Sequence, residues 1–204
     1  YYVSAMSDLA LAYYNLGRKN EAIACYEKVV EYDPQSASAL EAIRSLRDIY
    51  VKEDRIDDYF AYAERSGVQS DMSTAARDSL TFAAAKNVYL AGDMGEARTK
   101  LTNYLRSFEK GYNRTEALFY LSDCHINLED KPSALETMEE LLAQGLNQYT
   151  ERVLGVYADM SYDMKQFAKC ADAYRSLYDV AHEKDKRARA SEGYVDAASM
   201  TGDS

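Results

Sequence analysis

A recurring turn constrains this chain more than any other feature. Gly17-Arg18-Lys19-Asn20-Glu21-Ala22 aligns with Gly92-Asp93-Met94-Gly95-Glu96-Ala97 and with Glu129-Asp130-Lys131-Pro132-Ser133-Ala134. Weaker copies stand at Glu53-Asp54-Arg55-Ile56-Asp57-Asp58 and at Lys165-Gln166-Phe167-Ala168-Lys169-Cys170, and Gly202-Asp203 begins a sixth. The turns at 17, 53, 92, 129, 165 and 202 follow one another at steps of 36–39 residues. A fixed period of roughly 20–50 residues marks a chain built from units that bury their apolar faces only by stacking.

Each period reads as two helices. Apolar residues precede the turn at helical spacing, as in Met6, Leu9, Ala10 and Tyr13, or Leu118, Leu121, Ser122 and His125. A second stripe follows it, as in Ala22, Tyr26 and Val29, or Ala134, Met138 and Leu141. Helices of this length are marginal alone in water, so they must pack on one another. Close crossing needs short side chains, which Ala10 and Ala22, Ala85 and Ala97, Ser122 and Ala134, and Ala158 and Cys170 provide. Tyr26, Tyr62, Leu101, Met138 and Tyr174 recur at one position and fill the space to the next pair. The second copy departs from the pattern, with Leu46 and Asp58 where small residues belong.

The pattern resembles the tetratricopeptide repeat family. Leu9, Ala10, Tyr13, Gly17, Ala22, Tyr26 and Pro34 stand on the family's signature positions, while Met6 and Val29 replace its tryptophan and its third small residue. The likeness covers nearly the whole chain. It implies an all-α fold, a right-handed α-α superhelix (solenoid) of about five helix pairs plus one extra C-terminal helix. The repeats would span about 3–36, 39–72, 77–113, 114–149 and 150–186, with a partial copy at 187–204. The wide spacing looks like the variant in bacterial envelope proteins such as the Tol-Pal coordinator and outer-membrane assembly lipoproteins, so a periplasmic or envelope location is expected over a cytoplasmic one. The longest step encloses the polar stretch Ser66 to Thr74, where a kink or hinge is expected, a rigid loop being the alternative. The chain opens on Tyr1-Tyr2-Val3 without a methionine and reads as a piece of a longer protein.

Composition narrows the partners. A net charge of −10 offers no basic surface to neutralise phosphates, so neither nucleic acid nor an anionic membrane is expected. No apolar run approaches the roughly 20 residues that cross a bilayer. Cys25, Cys124 and Cys170 are far apart in the sequence and form no CxxC, which suggests buried thiols rather than a disulfide or zinc framework. His125 falls on a packing position and His182 near a helix end, neither with a metal-ligand spacing. Asp57-Asp58 and Glu139-Glu140 are adjacent pairs, which a helix points about 100° apart. With no phosphate loop or nucleophile elbow either, the expectation is a non-enzymatic protein without cofactor or metal.

In the family, the first helix of each pair lines a concave surface that commonly binds a peptide. The ninth signature position gives Leu11, Arg47, Lys86, Asp123, Asp159 and Asp196, and the twelfth gives Tyr14, Tyr50, Tyr89, Ile126, Tyr162 and Ser199. The resemblance therefore implies a groove of tyrosines beside a charge row that changes sign, with Tyr14, Arg47, Tyr50, Lys86, Tyr89, Asp123, Asp159 and Tyr162 as contacts. An acidic ligand end would lie near Arg47 and Lys86, and a basic end near the aspartates. Ser7 and Leu11 do not match the family's two-carboxylate clamp. The expected function is a protein-interaction scaffold holding a protein or peptide segment. The alternative is a structural spacer that stacks with flanking repeats or forms a homodimer through its exposed terminal repeat.

Overall fold

The computed structural model describes residues 1–67 and 73–201. Those residues form eleven helices and no strand. Four helix pairs are α1 (Tyr2–Asn15) with α2 (Lys19–Tyr32), α3 (Ala37–Lys52) with α4 (Ile56–Ser66), α7 (Arg114–Asn127) with α8 (Lys131–Ala143), and α9 (Thr150–Asp163) with α10 (Phe167–Val180), while α5 (Thr74–Leu90) and α6 (Met94–Ser107) follow one another in the chain between the second pair and the third. The single helix α11 (Lys184–Thr201) follows. The chain divides into two compact units, Tyr1–Asn87 and Val88–Ser204, the boundary falling within α5.

The turns explain the period. Gly17, Asp54, Gly92, Glu129 and Lys165 all hold positive φ, at +73°, +57°, +87°, +59° and +58°. In four of them the following amide closes the helix end on a carbonyl five residues back: Arg18 on Tyr13, Arg55 on Tyr50, Asp130 on His125 and Gln166 on Ser161. This is the hydrogen-bond pattern that terminates a helix once one residue enters the left-handed region. The next helix then begins at once. Asp93 accepts from the Glu96 amide at 3.0 Å and Asp130 from the Ser133 amide at 3.3 Å, satisfying first-turn donors.

The second turn corrects the sequence alignment. Its left-handed residue is Asp54, one position beyond the aligned Glu53. The helix-closing bond makes Tyr50 the counterpart of Tyr13, not of Tyr14. A shared contact agrees: the Arg18 guanidinium lies 4.6 Å from the Tyr13 ring centre, and Arg55 lies 5.1 Å from that of Tyr50.

The small residues expected at the crossings are all buried, as are Tyr26, Tyr62, Leu101, Met138 and Tyr174. In the first unit, Ala10, Ala22, Val29, Leu46, Phe60 and Tyr62 belong to one core, against which Ala76, Leu80 and Ala83 of α5 also pack. Of the expected hinge, residues 68–72 lie outside the described residues. On its near side Gly67 ends α4 at φ +64°, and on its far side Ser73 caps α5 by accepting from the Ala76 amide at 3.1 Å. The three cysteines are buried and free, and burial raises the Cys124 and Cys170 thiols to about 11. The His125 ring stands 3.6 Å from Asp130 on its packing position, its buried Nδ1 without a hydrogen bond among the described residues, and burial lowers its pKa.

Candidate functional site

In the first unit, the groove residues expected from the sequence divide into presented and buried. Tyr14 is half-buried and accepts from Lys52 Nζ at 2.9 Å, with that ammonium also 5.4 Å from its ring centre. Arg47 is exposed and, among the described residues, pairs with the neighbouring Asp48 at 3.4 Å. Tyr50 is only 4% exposed and packs its ring 6.2 Å from that of Tyr59. The one-residue shift of the turn puts it at a core position, so it does not line a groove. Val51, also buried, takes the place assigned to it. Lys86 is half-buried, its ammonium 5.8 Å from the Phe82 ring.

In the second unit, two members of the acidic row, Asp123 and Asp159, are already engaged. Asp123 accepts from the Tyr89 hydroxyl at 2.7 Å and from Asn127 Nδ2 at 3.3 Å, while the Tyr89 ring lies 4.5 Å from that of Tyr120. Burial, with the Asp123 bond adding to it, raises the Tyr89 phenol well above its ordinary pKa. Asp159 accepts from the Tyr174 hydroxyl and from Arg189 Nη2, both at 2.6 Å. These carboxylates tie neighbouring helices together and leave less charge for a basic ligand than the sequence implied. Tyr162 remains 41% exposed, meeting Phe167 edge-on at 5.5 Å.

The Asp159–Arg189 ion pair joins α9 to α11, and on α9 the structure brings forward a residue that the sequence reading passed over. Arg152 of α9 is exposed, and its guanidinium lies 5.0 Å from the Phe119 ring centre on α7. No carboxylate among the described residues pairs with it. Phe119 is itself stacked on Tyr149 at 4.3 Å, which fixes the platform beneath the cation.

Two clefts meet at Arg152. A small one of about 30 Å³ lies between α7 and α9, lined by Phe119, Ile126, Val153 and Val156. A larger one of about 390 Å³ lies between α9 and α11, lined by Gly155, Val156, Leu177 and the charged Glu151, Lys186 and Arg189. Gly155 lines the larger cleft, where a Cβ would make only an ordinary contact with Leu177, at 3.8 Å. Lys186 is held by Glu151 at 2.5 Å and by Glu183 at 3.1 Å, and Arg189 by Asp159, so among the described residues Arg152 is the cation of these clefts without an ion pair. A signal for it did exist: Arg152 and Arg189 stand 37 residues apart, one period.

Two family models described as tetratricopeptide repeat match, one over residues 3–36 and the other over residues 74–148, together more than half of the sequence. The chain belongs to the tetratricopeptide repeat family. Repeats of this family are in general protein–protein interaction scaffolds. A comparison with curated proteins finds no match. Among solved structures, the tetratricopeptide chain is similar to one in a structure of Naa15/Naa10 bound to HypK-THB, with 20% identity and a TM-score of 0.53, covering 97% of this chain and 29% of that one. It is similar also to Pseudomonas aeruginosa pilF, with 20% identity and a TM-score of 0.49 over 98% of this chain and 85% of that one. For YrrB, described as a TPR protein with an unusual peptide-binding site, the values are 17% and 0.47 over 92% and 90%. At these identities the likeness is one of fold. Among the described residues, no group of three His, Cys, Asp or Glu could hold a metal ion, and no helix is long and apolar enough to cross a membrane.

Proposed function

We propose that this tetratricopeptide chain is a non-enzymatic scaffold that holds an extended partner segment across the face formed by α7, α9 and α11. Arg152 carries the reading: an exposed, unpaired guanidinium, fixed on an aromatic ring, where two apolar-floored clefts meet. Arginine and tyrosine are prominent at binding hot spots, and a guanidinium recognises a carboxylate with two parallel hydrogen bonds. The segment places a carboxylate on Arg152 and apolar side chains against Val156 and Ile126. This reverses, for the second unit, the basic ligand implied by the aspartate row.

The test is capture from the source lysate with the intact chain and with an Arg152→Glu, Tyr162→Ala variant of unchanged helicity and melting. A partner held by the wild type and lost by the variant supports the reading. A partner held equally by both overturns it.

Exposed apolar side chains at both ends favour a second reading, a spacer that stacks end to end or self-associates. Leu11 and Leu16 are exposed on and just after α1, and Val195 and Met200 on α11. A mass that rises with concentration in light scattering supports this, and a monomer at high concentration removes it. The envelope location remains part of the proposal through the 36–39-residue spacing of the turns.

A further inference from the structure

The second helices of the second unit carry an opening on their own side. Between α8 and α10 lies a cleft of about 500 Å³, within the roughly 300–1,000 Å³ of ordinary ligand sites. Leu154, Tyr157 and Thr150 of α9 form its buried floor together with Ala173 of α10. Leu142 and Leu146 wall it on one side and Val180 on the other. Short side chains leave the space open: Ala173 and Ser176 face it from α10, and Gly145 ends its α8 side at φ +88°. Leu146 is 82% exposed at its mouth, where it offers an apolar contact to an incoming side chain.

The charges around this opening differ from those on the first-helix face. Lys169 is consumed at one end, bonded to Glu139 at 2.7 Å, and Glu139 also accepts from Tyr157 at 2.5 Å. The Lys169 bond, then the Tyr157 bond, hold the Glu139 carboxyl below its ordinary pKa. Asp172 lines the cleft, exposed and without an ion pair among the described residues; Glu136, outside the lining and one turn before Glu139 on α8, is likewise exposed and without an ion pair there. The free charge beside this apolar slot is therefore acidic.

The geometry points to a second binding site here, for an amphipathic helical segment of a partner protein that carries basic residues beside its apolar stripe. An opening between two helices with an apolar floor suits a third helix laid in the groove, and the uncompensated Asp172 carboxylate on its rim selects lysine or arginine on the incoming helix. The site goes beyond the proposed function and uses none of its residues, so the two can fail separately.

The probe is a fluorescent peptide of about 14 residues made of Lys, Leu and Ala, with leucines at i, i+3, i+4 and i+7. Its control is the same composition scrambled to break the stripe. Anisotropy titrations use the whole chain, alongside Asp172→Lys, Leu146→Asp and Arg152→Glu; all three positions are exposed, and each variant is first checked for an unchanged melt. The expected result is saturable binding of the striped peptide, weakened at least about tenfold by Asp172→Lys and by Leu146→Asp, and unchanged by Arg152→Glu. Equal binding of the scrambled peptide, indifference to the first two variants, an equal loss with Arg152→Glu, or no saturable binding overturns the assignment.

Discussion

The Tyr89 hydroxyl donates to the Asp123 carboxylate at 2.7 Å, joining the end of α5 to α7. Removing the hydroxyl leaves Asp123 with its Asn127 contact and with solvent, so the loss is that of one charge-assisted bond. Tyr89→Phe should lower stability by about 1–2 kcal/mol, with the ring contact to Tyr120 retained. Thermal and denaturant melts check it; an unchanged midpoint contradicts a structural role for this pair.

The same pair has a pH signature, shared by Tyr157 on Glu139 and Tyr174 on Asp159. Burial, reinforced by these bonds, raises all three phenols. A group whose folded pKa is raised stabilises the fold fully below its unfolded pKa and loses that contribution as pH climbs toward its folded value. Stability should fall above about pH 10, where unfolded tyrosines ionise. The fall should be shallower in a Tyr89→Phe, Tyr157→Phe double variant, followed by denaturant midpoints beside tyrosinate absorbance. Parallel curves for variant and wild type contradict it.

Lys165 holds φ +58° on an exposed turn, a conformation that glycine adopts without cost and that Gly17 supplies in the first repeat. Lys165→Gly should therefore stabilise the second unit by about 0.5–1 kcal/mol, whereas Gly17→Ala should destabilise the first by at least as much. Urea midpoints of opposite sign are the expected result, and a destabilised Lys165→Gly contradicts the turn geometry.

Gly193 makes the close approach between α11 and α10. A Cβ there would come within 2.5 Å of the Tyr174 ring, whose hydroxyl is held by Asp159. Gly193→Ala must displace that ring and should cost about 1–3 kcal/mol. The penalty should shrink when Tyr174 is Leu, a coupling that a double-mutant cycle measures; additive effects would remove the contact as its cause.

The architecture was legible because it depends on positions with few solutions. A left-handed residue recurs at the five described turns and a pair of short side chains in every full copy but the second, and Ala10 with Ala22 or Ala158 with Cys170 fixes where helices cross before anything else is known. The groove was less legible, for three physical reasons. One residue of register in the second turn moved Tyr50 from a presented to a packing position. Asp123 and Asp159 looked free because the sequence does not show which hydroxyl or guanidinium will reach them. Arg152 lies outside the ninth and twelfth signature positions, and its value comes from Phe119, in a neighbouring helix, and from the absence of a partner among the described residues.

The central claim is that a partner segment lies on the face of α7, α9 and α11. Site-specific photo-crosslinking tests it most directly, with a benzophenone side chain placed in turn at Ile126, Val156, Glu136 and Asp179 of the intact chain, using the partner captured by the wild type. The account predicts cross-links to one segment of that partner from positions 126 and 156, abolished by Arg152→Glu, and none to that segment from 136 or 179. Cross-links to it from 136 or 179, with none from 126 and 156, would contradict the account.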